Sequence, residues 1–124
     1  MATSSAVAAA DQATAAQYNN LRTDMLARAS VSSGSYVGDD TENKAIAHGL
    51  GAAPKVVFIT TAASTIVFII IVGTGNITCL NAMNAYAVTV MDATNFYVGD
   101  IADYPTSANS NGITYYWVAI GIGT

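Results

Sequence analysis

The chain has 124 residues, of which 52% are hydrophobic and only 10% charged, and its net charge is −4. That length is one domain's worth, enough to bury a real core. An ordinary soluble domain carries roughly 25% charged residues, so a surface this poor in charge is expected to lie largely against other subunits. Scattered Ser, Thr and Asn, polar without charge, are the monomeric alternative. The four dispersed cations, Arg22, Arg28, Lys44 and Lys55, cannot line a phosphate-tracking groove, which weighs against a nucleic-acid partner. A single cysteine, Cys79, rules out an internal disulfide framework. No basic stretch leading into an apolar one opens the sequence, so synthesis in a cytoplasm without a secretory signal is the expectation.

Residues 1–30 form a compositional unit of their own, rich in Ala and free of Gly and Pro. Good helix formers predict a helix over Gln12–Arg28, with Ser4, Ser5 or Asp11 as its cap and Asp24–Arg28 as a favourable i,i+4 pair. A seam of Val7, Asp11, Thr14, Tyr18, Leu21 and Met25 runs along it. Its second half, Tyr18, Leu21 and Met25, is an apolar stripe suited to an oligomer or attachment interface. A lone helix of this length is marginal in water and needs a partner. The segment 1–30 is therefore read as an attachment or trimerisation element, and residues 31–124 as the main domain.

Ser30–Gly38 reads as a hinge-like connector that enters a first short strand. Asp39-Asp40-Thr41-Glu42-Asn43 gathers three acids but lacks the alternating ligand spacing of a calcium loop, so a solvated turn is expected. From Val56 to Met91 the chain runs 36 residues without Asp, Glu, Lys, Arg or His. The first 17 of these, Val56–Val72, reach the minimum length of a membrane span. However, 12 of those 17 are Val, Ile or Thr, which stiffen at χ1 and favour pleated sheet. The flanks also lack the Lys/Arg clusters that orient a span. Two strands joined through Thr60–Ser64 are expected instead.

The predicted strands lie near 44–48, 55–61, 65–72, 76–80, 86–92, 95–98 and 113–122. Asn81–Asn84 and Asp92–Asn95 read as turns, and Gly99–Gly112 as the one long loop. Short strands at close intervals predict a mainly β protein, an antiparallel sandwich or barrel-like domain preceded by the N-terminal helix. On the closing strand, Trp117 and one of Tyr115 and Tyr116 are expected in the core, since neighbouring side chains face opposite sides. Tyr104, on the long loop, is the candidate for external contact.

No catalytic constellation emerges. No serine sits in a Gly-x-Ser-x-Gly elbow, and Cys79 in an apolar stretch lacks the electropositive setting that a reactive thiolate needs. His48, the single histidine, reads as a ring ordering the Gly-rich turn after it. One His, one Cys and scattered carboxylates do not make a metal site within one chain, although three copies of the His could meet on a trimer axis. Gly49-Leu50-Gly51 lacks the spacing of a phosphate or dinucleotide loop. The expectation is no enzyme, no cofactor and no metal.

The block His48-Gly-Leu-Gly-Ala-Ala-Pro-Lys55 followed by Val-Val-Phe-Ile resembles a β-rich module common at the C-terminal end of phage virion proteins. Asn95-Phe-Tyr-Val-Gly99 looks like one of that module's later strands, and Asn111–Ile120 is similar to its closing strand. Ala13–Arg22 looks like a segment that precedes such modules in fibre and virion proteins. The resemblance implies a virion structural protein of a tailed phage, made in the host cytoplasm, often a homotrimer. Without a shaft or large attachment domain, a capsid decoration (cement) protein or short head fibre is favoured. Its partners would then be its own copies and the major capsid protein or another virion protein. The alternative is the receptor-binding tip of a tail fibre, contacting a host-surface glycan or protein.

Overall fold

The structure is a computed structural model describing residues 15–26, 29–62 and 66–122, with the side chains of 22–29 and 122 outside the description. Helix α1 covers Ala15–Leu26, within the predicted Gln12–Arg28, whose residues 12–14 and 27–28 lie outside the described residues. The proposed caps Ser4, Ser5 and Asp11, the seam residues Val7, Asp11 and Thr14, the Asp24–Arg28 pair and the side chain of Met25 lie outside the described residues. Residues 15–21 of the helix are all exposed.

Eight strands follow: β1 (Ala29–Val37), β2 (Lys44–Ala47), β3 (Val56–Thr61), β4 (Val67–Ile71), β5 (Asn76–Cys79), β6 (Asn84–Ala87), β7 (Asn95–Val98) and β8 (Thr114–Ile122). They form a six-stranded sheet in the order β1-β8-β3-β4-β5-β6 and a two-stranded ribbon of β2 and β7. All pairings are antiparallel. The two layers make a sandwich-like arrangement with open edges at β1 and β6, not a closed barrel. The expected fold class, mainly β and antiparallel with a helix in front, is what the chain adopts.

Alternation decides the core. Val57 and Ile59 of β3, Phe68 and Ile70 of β4, Ile77 and Cys79 of β5, and Tyr115, Trp117 and Ala119 of β8 all point inward and are buried. The ribbon contributes Ile46, Phe96 and Val98 from the other layer. The layers meet where Phe96 packs edge-on against Trp117, ring centres 5.2 Å apart. Each fully buried Ile or Phe contributes about 1.5–3 kcal/mol through removal of apolar surface from water. Cys79 behaves as a small buried hydrophobe, as its apolar setting suggested.

Two predicted elements change. The hinge expected over Ser30–Gly38 is a full nine-residue strand, because every residue of β1 pairs with β8, from Ala29↔Ile122 to Val37↔Thr114. Gly34 sits in it by necessity: a Cβ there would lie 2.8 Å from the Trp117 indole, so only a bare backbone lets the ring lie flat beneath β1. The strand expected over 86–92 is instead β6 at Asn84–Ala87, which includes a residue assigned to the preceding turn. Met83, with φ 56°, closes that turn one residue early. Val88 and Met91 then reach the core from irregular backbone.

Substituting Ile59→Ala should lower stability by about 2–5 kcal/mol. In a urea titration the midpoint should fall while the slope is unchanged; Phe58→Ser, one residue along but facing outward, should move the midpoint far less.

Candidate functional site

Three regions could carry function: the two ends of the β2–β7 ribbon and the outer face of the large sheet. The first end joins the turn 39–43 to the long loop 99–113. The Asn109 side chain is completely buried and fully used. Its Nδ2 donates to Thr41 O at 2.7 Å and Asp39 Oδ1 at 3.1 Å, and its Oδ1 accepts from Asp39 N at 3.1 Å. Gly99, at φ 96°, permits this approach, since a Cβ there would stand 2.2 Å from Thr41 O.

Two stacked tyrosines hold the same loop from below. The rings of Tyr36 and Tyr115 lie 5.1 Å apart; Tyr36 OH donates to Ala108 O at 2.7 Å, and Tyr115 OH accepts from Ser110 N at 2.9 Å. Burial pushes both phenol pKa values above their ordinary value. Ser107 completes the fold of the loop: its Oγ accepts from Asp100 N at 2.8 Å and donates to Asp103 O at 2.7 Å. The long loop thus has a buried centre at Ser107–Asn109. Tyr104, the residue singled out for external contact, is half-buried, and its carbonyl accepts from Asn109 N at 3.0 Å.

The acids at this end are occupied with one another's neighbours. Asp39 accepts from Thr41 Oγ1 at 2.5 Å and from Lys44 Nζ at 2.9 Å. These bonds, that from Thr41 foremost, hold its carboxyl down at about 2. Asp40 Oδ1 accepts from Asn111 N at 2.8 Å. Among the described residues, no group of three or more His, Cys, Asp or Glu could hold a metal ion.

The other end is organised by His48, which is 2% exposed. Its Nδ1 accepts from Leu50 N at 3.1 Å, and its Nε2 lies 2.9 Å from Asp92 O. These partners require the tautomer protonated at Nε2. The ring therefore orders the Gly-rich turn, as expected, and has no nitrogen left for a metal on a symmetry axis. Ser32 Oγ donates to His48 O at 2.5 Å, and Lys55 N donates to Ile120 O at 2.8 Å. The block His48–Lys55 is thus a plug between the ribbon and the last turn of β8. Asp92 caps the facing turn, accepting from Thr94 N, Asn95 N and Tyr97 OH. These bonds, the tyrosine's first, lower its pKa.

The third region is the outer face of the six-stranded sheet, and here the side chains have no such partners. Cross-strand rows read Ser33–Val118–Phe58–Ile69–Thr78, then Val31–Ile120–Val56–Ile71, then Ser35–Tyr116–Thr60–Val67. None of these thirteen residues is charged. Tyr116 is 50% and Phe58 39% exposed. Because Gly34 and Trp117 turn inward, the surface above them sinks into a depression of about 440 Å³, rimmed by Ser33, Ser35, Phe58, Thr60, Tyr116 and Val118. The sequence marked the β8 part of this face, since Thr114–Ile120 is apolar nearly throughout, as a strand with core on one side and a neighbouring subunit on the other would be. Its signal was present as the outward half of each alternating strand, apolar where a solvated sheet would be polar.

Of the residues assigned to an interface from the sequence, Tyr18 and Leu21 stand on α1 at 62% and 59% exposure. Nothing in the geometry brings them to either polar end. Among the described residues no helix is long and apolar enough to cross a membrane.

Protonating Asp39 favours the unfolded chain, because its folded pKa lies below the ordinary aspartate value of about 3.9. Its contribution is complete above that ordinary value and is lost as pH falls through about 2. Thermal melts should therefore show a steeper acid decline in the wild type than in Asp39→Asn, and parallel declines would refute the assignment. Asn109→Ala should lower stability by about 1–3 kcal/mol for each partner left buried and unpaired. No family model, curated protein or solved structure matches the chain.

Proposed function

We propose that the chain is a non-enzymatic structural subunit of a tailed-phage particle, working as a homotrimer that decorates the capsid as a cement protein or short head fibre. The observation that carries the reading is the uncharged outer sheet face. Monomeric proteins rarely leave a contiguous apolar surface open unless it meets a partner. Here that surface runs across five strands, with Val118, Phe58 and Ile69 in one continuous row. Its position accounts for the low charge of the whole chain. Five of the eight acids, Asp39, Asp40, Glu42, Asp100 and Asp103, sit in the turn and loop at one end, away from the face.

The assignment to a phage particle rests on the ordered motifs from His48 to Ile120 and on Ala13–Arg22. The polar ends support a structural role in their own right: His48, Asn109 and the two tyrosines spend their hydrogen-bonding groups on holding loops. With Cys79 buried and His48 tied to Leu50 and Asp92, no Cys–His pair shares a cleft among the described residues.

Light scattering at micromolar concentration should return three times the monomer mass; a monomer mass would refute the trimer. The purified protein should bind phage capsids that lack it and raise their resistance to heat, and binding to host cells with none to capsids would favour a receptor-binding tip. Leu21→Asp with Met25→Asp should abolish the trimer while the β circular-dichroism signal persists.

A further inference from the structure

We infer that the depression on the outer sheet face is the seat of helix α1 from a second copy of this chain, with Tyr18 and Leu21 entering it. The inference rests on the homo-oligomer proposed above and names the contact that would build it. Two apolar surfaces stand exposed among the described residues. Tyr18 and Leu21 project from α1 at i and i+3, the spacing that puts two side chains on one helix face. The twelve residues of α1 are too few to hold a helix in water unaided. The sheet face has the opposite shape: a hollow above Gly34 and Trp117 with an aromatic and aliphatic rim.

Size and charge both fit. A helix of twelve residues is about 18 Å long, and the four strands β1, β8, β3 and β4 span roughly 14 Å from first to last. Every copy carries the same net charge of −4, so copies approach most easily through surfaces without acids. The face has none, and neither do residues 15–21 of the helix. In the single chain α1 leaves the face open, and only residues 27 and 28 separate it from β1. With Tyr18 and Leu21 at 62% and 59% exposure, the helix does not cover its own chain's face, which leaves that face to a neighbour's helix.

The contact also constrains how copies assemble. A helix on one copy meeting a sheet on the next is heterologous, so each copy gives one helix and receives one. Such contacts close into a ring when the rotation allows, and a three-membered ring leaves no helix and no face unpartnered.

The test is disulfide trapping between two differently tagged variants, Leu21→Cys and Val118→Cys, unfolded and refolded together. Cys79 is 1% exposed and does not compete in the folded state. The expected result is a cross-linked pair carrying both tags, and none when Val118→Cys is replaced by Met83→Cys on the distant, exposed β5–β6 turn. A link found only inside single chains of the double variant Leu21→Cys/Val118→Cys would overturn the proposal, as would equal linking to the Met83 site or no link. A mass of three chains by light scattering without the Leu21–Val118 link would sink this contact and leave the structural reading standing. A monomer that still binds capsids would remove the contact without removing the capsid role.

Discussion

The stacked pair of Tyr36 and Tyr115 is the interaction on which most of this molecule depends. It joins the edge strand β1 to the central strand β8, and Phe68 of β4 meets Tyr115 edge-on at 6.0 Å. The two hydroxyls emerge at the same end of the sandwich and capture the backbone of the long loop at Ala108 and Ser110. One aromatic stack thus serves the core, the sheet edge and the largest loop together. A phenol suits this duty because its ring is apolar and its tip polar, so a buried ring can still satisfy a backbone group at its margin. Loop residues Ser107, Ala108 and Asn109 are consequently as buried as the strands.

What the sequence discloses depends on how local the cause is. Strands β3, β4, β7 and β8 were legible within a residue or two, because their Val, Ile, Thr and aromatic content and the turns beside them are written in consecutive residues. The plug built on His48 was legible for the same reason: its ring bonds a backbone amide two residues on. Strand β1 was not, since Ser30–Gly38 has little intrinsic preference for sheet and becomes strand only by pairing with residues 77 to 93 positions away. The burial of Ser107–Asn109 was equally hidden, because their partners Tyr36, Asp39 and Thr41 are distant in the chain. The exposed stripe of Tyr18 and Leu21 was visible as a helix face. The hollow opposite was not, for it requires knowing that Gly34 lies beside Trp117.

Charge is partitioned as strictly as hydrophobicity. Asp39, Asp40, Asp92, Asp100 and Asp103, all in loops or turns, accept from nearby backbone amides or hydroxyls. Such capping places carboxylates at loops, and none of the thirteen residues on the outer sheet face is an acid. The long run Val56–Met91 can therefore be free of charge without being a membrane segment: its inward half fills the core and its outward half forms the neutral sheet face.

The place of β8 in the sheet has a consequence for timing. It lies between β1 and β3, so β1 has no partner and β3 is paired on one side only, by β4, until the last of the eight strands has inserted. Closing so long a loop is the slow kind of step in β proteins. The same insertion supplies Tyr116 and Val118, without which the depression does not exist. Completion of the sheet and creation of its uncharged outer depression are thus one event. The depression is a property of β1, β8 and β3 joined, and of no smaller set of the strands.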